Sequence, residues 1–152
     1  MTATVPYTPD PSLPRAFLVD IDGTVALRTG RSWYDESRVG EDVPNWPVVM
    51  VVRALAAIGL QPVYLSGRSD ACARATALWL MYHIGTPPSV EMRILMRAKG
   101  DTRTDVEVKL ELFDKFIRES YCVVLCLDDR NSVVKLWRDL GLTCLQVAEG
   151  DF

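Results

Sequence analysis

The sequence predicts an α/β fold, a doubly wound parallel sheet of about five strands flanked by helices. Three observations predict it. Short apolar runs alternate along the chain with longer stretches of helical periodicity, the pattern of strand, crossover helix and parallel strand. The runs are apolar throughout, as strands buried on both faces must be. Each run closes on polar or glycine-containing residues, and in such sheets ligands bind beyond the carboxyl ends of the strands.

Taken in order, residues 1–14 hold Pro6, Pro9, Pro11 and Pro14 and no apolar period, so they read as an extended tail, with one folded domain over 15–152. Residues 16–21 (AFLVDI) form a buried strand that breaks at Asp20, Asp22 and Gly23. Residues 24–44 are polar and glycine-containing and read as a flexible loop. Asn45 caps a helix with Pro47 in its first turn, which stops at Gly59. Residues 61–65 (QPVYL) are a second strand, closed by Ser66, Gly67 and Arg68. Ser69 or Asp70 caps a helix running through Ile84, ended by Gly85 and the pair Pro87 and Pro88. Residues 92–96 (MRILM) give a third strand, 105–118 an amphipathic helix, 121–127 (YCVVLCL) a fourth strand, 131–140 a helix and 142–147 a fifth strand.

Composition narrows the function. At 152 residues, 49% of them hydrophobic, one core is large enough to bury about 70% of the unfolded chain's surface. The net charge of −3 argues against a protein that coats nucleic acid, since such affinity comes from Lys and Arg neutralising phosphates. No apolar run approaches a membrane span, residues 1–14 lack the pattern of a signal peptide, and the expected compartment is cytoplasmic. Cys72, Cys122, Cys126 and Cys144 form no C-x-x-C pair and lie in apolar segments, which predicts buried thiols.

Chemistry concentrates at strand ends. Asp20 and Asp22 follow the first strand, and Asp128 and Asp129 the fourth. Four carboxylates gathered at one sheet edge cannot all stay ionised without a cation, and a hard, oxygen-seeking ion such as Mg²⁺ is the natural partner. Ser66 and Lys109 add a hydroxyl and a cation to the same set. The lone His83, late in a helix, reads as a helix-end residue, while Trp79, Trp137, Phe113 and Phe116 read as core.

In that order, Asp20-Ile21-Asp22-Gly23-Thr24, Ser66, Lys109 and Asp128-Asp129 resemble the four motifs of the haloacid dehalogenase (HAD) superfamily of phosphohydrolases. The residues between them are closer still to one branch. Gly30-Arg31, Tyr34-Asp35, Ser66-Gly67-Arg68, Gly100-Asp101-Thr102-Arg103, Asp128-Asp129-Arg130 and the ending QVAEGDF (146–152) resemble the phosphatase domain of phage polynucleotide kinase/3′-phosphatase. The resemblance implies a HAD-like fold with a minimal cap and a magnesium-dependent phosphomonoesterase acting on 3′-phosphorylated nucleic-acid ends or 3′-nucleotides, as in end repair. It implies Asp20 as nucleophile, Asp22 as acid and then base, Ser66 as donor to the phosphoryl group and Lys109 as the neutralising cation. Thr24, Arg31, Gly67 and Arg68 would bind substrate, and Asp20, Asp22, Asp128 and Asp129 would hold Mg²⁺.

The chain contains no G-x-x-x-x-G-K-[ST] run, so a kinase would be a separate partner chain, and a homo-oligomer is the other expected association. Neither gap between the motifs holds a large cap, and an open site suits macromolecular ends. Arg28, Arg31, Arg68, Arg93, Arg97, Lys99 and Arg103 are expected to form a basic rim, with Trp33 and Tyr34 as aromatics near it. The alternatives are a phosphatase for small metabolites or nucleotides, and a silent module that partners a kinase.

Overall fold

The computed structural model describes residues 5–85 and 90–151. Five parallel strands, β1 (Arg15–Val19), β4 (Gln61–Ser69), β5 (Arg93–Arg97), β6 (Cys122–Arg130) and β7 (Cys144–Gly150), form one sheet in the order β5-β4-β1-β6-β7. The chain winds outward from β1 to β5, then returns to lay β6 on the other side of β1. The strand order therefore reverses between β1 and β6, and a crevice opens at their carboxyl ends.

Alternation along β1 decides which helices cover which face. Ala16 and Leu18 point into a cluster with Phe113, Ile117, Val133 and Trp137, from α3 (Asp105–Phe116), α4 (Asn131–Asp139) and the residue after α3. Phe17 and Val19 point the opposite way, against Val49 and Val52 of α1 (Trp46–Ala57) and Trp79 and Leu80 of α2 (Ala73–His83). A small antiparallel pair, β2 (Ala26–Leu27) with β3 (Val43–Pro44), closes the excursion after β1, and a 3₁₀ turn over Glu36–Glu41 lies within it.

The expected helices and strands are all present, with local differences. β4, β6 and β7 run beyond their apolar runs, and the registers slip at Ser66/Ser69 and Asp128/Arg130, so the motif residues sit in irregular strand extensions. Asn45 holds the N-cap position of α1, but its side chain donates to the Thr24 carbonyl at 3.0 Å and caps nothing. Pro87, Pro88 and Phe152 lie outside the described residues. Cys72, Cys126 and Cys144 are buried free thiols and Cys122 is half-buried. His83 ends α2, its ring 4.6 Å from that of Trp79. Among the described residues no helix is long and apolar enough to cross a membrane.

The segment before β1 is more tightly docked than a free tail. Tyr7 is buried against Phe113 at 5.3 Å, its hydroxyl donates to the Tyr121 carbonyl at 2.6 Å and accepts from the Val123 amide at 3.0 Å, and its amide donates to Leu140. Removing that hydroxyl strands a buried carbonyl and amide, each costly to leave unpaired. Tyr7→Phe is therefore expected to lose about 1–3 kcal/mol in urea unfolding while keeping its specific activity.

Candidate active site

β1 and β6 deliver the acidic residues. Asp20 follows β1 directly, its amide held by the Leu127 carbonyl at 2.9 Å, and Asp128 and Asp129 lie in the β6 extension. Asp20, Asp128 and Asp129 are all buried, and one oxygen from each lies within 4.8 Å of the others. Between two of them Lys109, from the middle of α3, donates to Asp20 Oδ1 at 2.6 Å and to Asp128 Oδ2 at 2.8 Å. A capping box, Thr104 with Glu107, starts α3 and so sets where Lys109 projects. Thr24 Oγ1 donates to Asp20 Oδ2 at 3.0 Å, and Trp137 Nε1 to Asp128 Oδ2 at 3.3 Å.

Beside this cluster is a second one. Arg68 grips Asp22 through Nε at 2.7 Å and Nη2 at 2.8 Å, while Arg31 Nη2 reaches Asp22 at 3.0 Å. Both arginines also converge on Asp42, with Arg31 donating at 2.7 and 2.6 Å and Arg68 at 2.7 Å. Asp42 is buried, and its carbonyl accepts from Trp79 Nε1 at 2.7 Å. The 24–44 excursion, expected as a flexible loop, is thus pinned from within, and Arg31 is buried instead of waving at the surface.

Charge is out of balance across the two clusters. Five carboxylates, Asp20, Asp22, Asp42, Asp128 and Asp129, face three cations, Arg31, Arg68 and Lys109. Burial, with the neighbouring acids, pushes the Asp20 carboxyl upward despite Lys109, and burial followed by the Asp128 charge raises Asp129. Burial works against the Lys109 charge too, but Asp128 and Asp20 outweigh it and hold the ammonium protonated. The residual two negative charges and the oxygen-only donor set fit one hard divalent cation at Asp20, Asp128 and Asp129. Backbone leaves room for Asp129: a Cβ at Gly23, where φ is +84°, would lie 2.1 Å from its Oδ2, and one at Gly150 2.5 Å from its carbonyl oxygen.

The clusters open into a cleft of about 680 Å³ whose lining includes Asp20, Asp22, Gly67, Arg68, Lys109 and Asp129. The other expected site residues are near but differently used. Ser66 is fully buried, its Oγ accepting the Arg68 amide at 3.1 Å. Gly67 gives its carbonyl to Arg97 at 2.9 Å, and a Cβ there would lie 2.7 Å from Asp105. Thr24 and Arg31 stand behind the carboxylates they orient. Asp22, expected among the metal ligands, is outside the three-carboxylate group, with its oxygens taken by the two arginines.

Sequence reasoning missed Asp42 and Trp137. Asp42 lies among polar residues that look solvated, and only its pairing with two buried arginines distinguishes it. The Trp137 periodicity marked it as core without revealing that its N–H meets Asp128. The basic rim is also different from expectation. Arg93 is at the amino edge of the sheet, donating to Tyr121 Oη at 3.1 Å, and Arg97 pairs with Asp105. Asp42→Ala leaves two buried guanidinium groups sharing one carboxylate and should cost about 3–5 kcal/mol in denaturant unfolding.

Residues 14–152 match the family described as the polynucleotide kinase PNKP phosphatase domain. A putative bifunctional polynucleotide kinase/RNA ligase from Autographa californica nuclear polyhedrosis virus is 40% identical over 131 residues, 85% of this chain and 18% of that protein. A solved Pnkp1/Rnl/Hen1 RNA repair complex contains a chain 40% identical with a TM-score of 0.88, over 100% of this chain and 48% of that one. The class C acid phosphatase of Bacillus anthracis, 19% identical with a TM-score of 0.55 over 80% of this chain and 54% of its own, shares the fold. The chain spans about half or less of the first relatives it matches. With Asp20, Lys109, Asp128 and Asp129 gathered at one crevice, this chain belongs to the PNKP phosphatase-domain family of HAD phosphatases.

Proposed function

We propose that the protein is a magnesium-dependent phosphomonoesterase that removes 3′-phosphates from nucleic-acid ends. The observation that carries this reading is the convergence of Asp20, Lys109, Asp128 and Asp129 at the reversal point of the sheet, open to solvent through a cleft with no large cover among the described residues. The names of its relatives, which join polynucleotide kinase, ligase and RNA repair, support a nucleic-acid end as substrate and kinase and ligase activities as neighbours in the pathway.

Asp20 is the nucleophile in this reading. Its carboxylate attacks phosphorus in line with the departing sugar oxygen, the P–O bond breaks, and phosphate is left on Asp20. Thr24 and Lys109 each hold one Asp20 oxygen and so orient it for attack. Asp20, Asp128 and Asp129 would hold Mg²⁺, which would supply charge neutralisation for two anions that otherwise repel. Lys109 adds fixed positive charge beside the reacting oxygens. Asp22 gives a proton to the leaving sugar oxygen, then takes one from the water that releases phosphate. Asp42 holds Arg31 and Arg68 from behind, so both stay in place when Asp22 turns to the leaving group, and Arg68 in the cleft is set to meet phosphate oxygens. Ser66 fixes the Arg68 backbone.

Three substrates under two conditions test this. A 3′-phosphorylated oligonucleotide should release phosphate with Mg²⁺ and not with chelator, and faster than a 5′-phosphorylated oligonucleotide or a sugar phosphate. Equal or faster release from the sugar phosphate would assign the chain to small metabolites instead. Asp20→Asn should lose at least about 10³-fold in rate with an unchanged circular dichroism spectrum. No Mg²⁺-dependent release from any of the three would point to the silent partner module.

A further inference from the structure

Side chains expected to attract a charged backbone at the cleft mouth are largely committed within the protein. Arg97 pairs with Asp105, Arg103 with Asp101 and Glu111, and the Arg28 guanidinium lies over the Trp33 ring, 3.1 Å from its centroid. A chain end arriving at Asp20 finds little net positive charge from Arg97 and Arg103, which acids offset, while Arg28 keeps its charge over Trp33. It finds instead an aromatic ring: Tyr34 lines the same cleft as Asp20 and is 95% exposed.

That ring stands on a fixed bracket. Arg31 Nη1 donates to the carbonyls of Ser32 and Asp35, the Asp35 amide closes the turn onto Ser32 at 3.1 Å, and the Tyr34 amide donates to Ser32 Oγ. Asp35 in turn caps the 3₁₀ turn through Ser37. The guanidinium that touches Asp22 at 3.0 Å therefore also holds the backbone carrying Tyr34, which ties the ring to the phosphate end of the site. A tyrosine on a held backbone loses little freedom when a flat ligand covers it.

We propose that Tyr34 is a stacking subsite for the base of the nucleotide that carries the 3′-phosphate. It rests on the nucleic-acid-end reading above and adds how the end is gripped beyond its phosphate: by ring stacking, indifferent to base identity.

The test compares wild type, Tyr34→Ala and Tyr34→Trp on a 3′-phosphorylated oligonucleotide, on the same oligonucleotide with an abasic terminal residue, and on glycerol 2-phosphate, which has no ring to stack. Tyr34→Ala should raise KM for the first substrate about 5- to 100-fold, with Tyr34→Trp close to wild type. Wild type should lose a similar factor on the abasic end, where Tyr34→Ala loses nothing further. All three proteins should treat glycerol 2-phosphate alike. A Tyr34→Ala variant as good as wild type on the oligonucleotide, or one equally impaired on all three substrates, would overturn the stacking subsite. Where wild type itself favours glycerol 2-phosphate, the nucleic-acid reading fails and the subsite with it.

Discussion

The architecture turns on a buried ammonium. Lys109 reaches the end of the sheet from α3 and sits between Asp20 and Asp128, which belong to chain segments more than 100 residues apart. Groups of this kind are expensive to remove from water, and replacing a buried ion pair with apolar packing often leaves a fold as stable or more so. The cluster is therefore poorly explained as a stability device. It is explained by chemistry that needs fixed charge away from solvent, where each interaction is stronger and needs no rearrangement during reaction.

Given that constraint, several other features follow. The β6 register slips where Asp128 and Asp129 turn toward the crevice, and Gly23 and Gly150 are bare where a side chain would strike Asp129. The second cluster repeats the logic, with Asp42 and Asp22 dividing two arginines between them. The pair of β2 and β3 and the 3₁₀ turn between them carry this pairing, so the excursion that covers one side of the site is also part of it. α2 supports it from beneath through Trp79.

The sheet and its helices were legible because they rest on short-range rules: apolar runs for β1 and β6, Pro47 in the first turn of α1. The motif aspartates were legible because two pairs fall at two strand ends in company with Ser66 and Lys109, where a lone pair would read as ordinary turn residues. Three things were not. The docking of Tyr7 depends on a groove between α3, β6 and the end of α4 that no local pattern announces. Asp42 gains its meaning only from Arg31 and Arg68, the latter 26 residues away. The mouth arginines looked like a basic rim because a sequence shows charges and not their partners; folding pairs Arg97 with Asp105 and Arg103 with Asp101.

In the proposed reaction Asp20 attacks phosphorus and carries it until water releases it. Its most direct test is to mix the protein with a 3′-phosphorylated oligonucleotide and Mg²⁺, quench within one turnover, reduce with borohydride and map the modified residue by mass spectrometry. Homoserine is expected at position 20 and at no other acid. Turnover with no trapped position, or reduction at Asp22, Asp128 or Asp129 in its place, would contradict it.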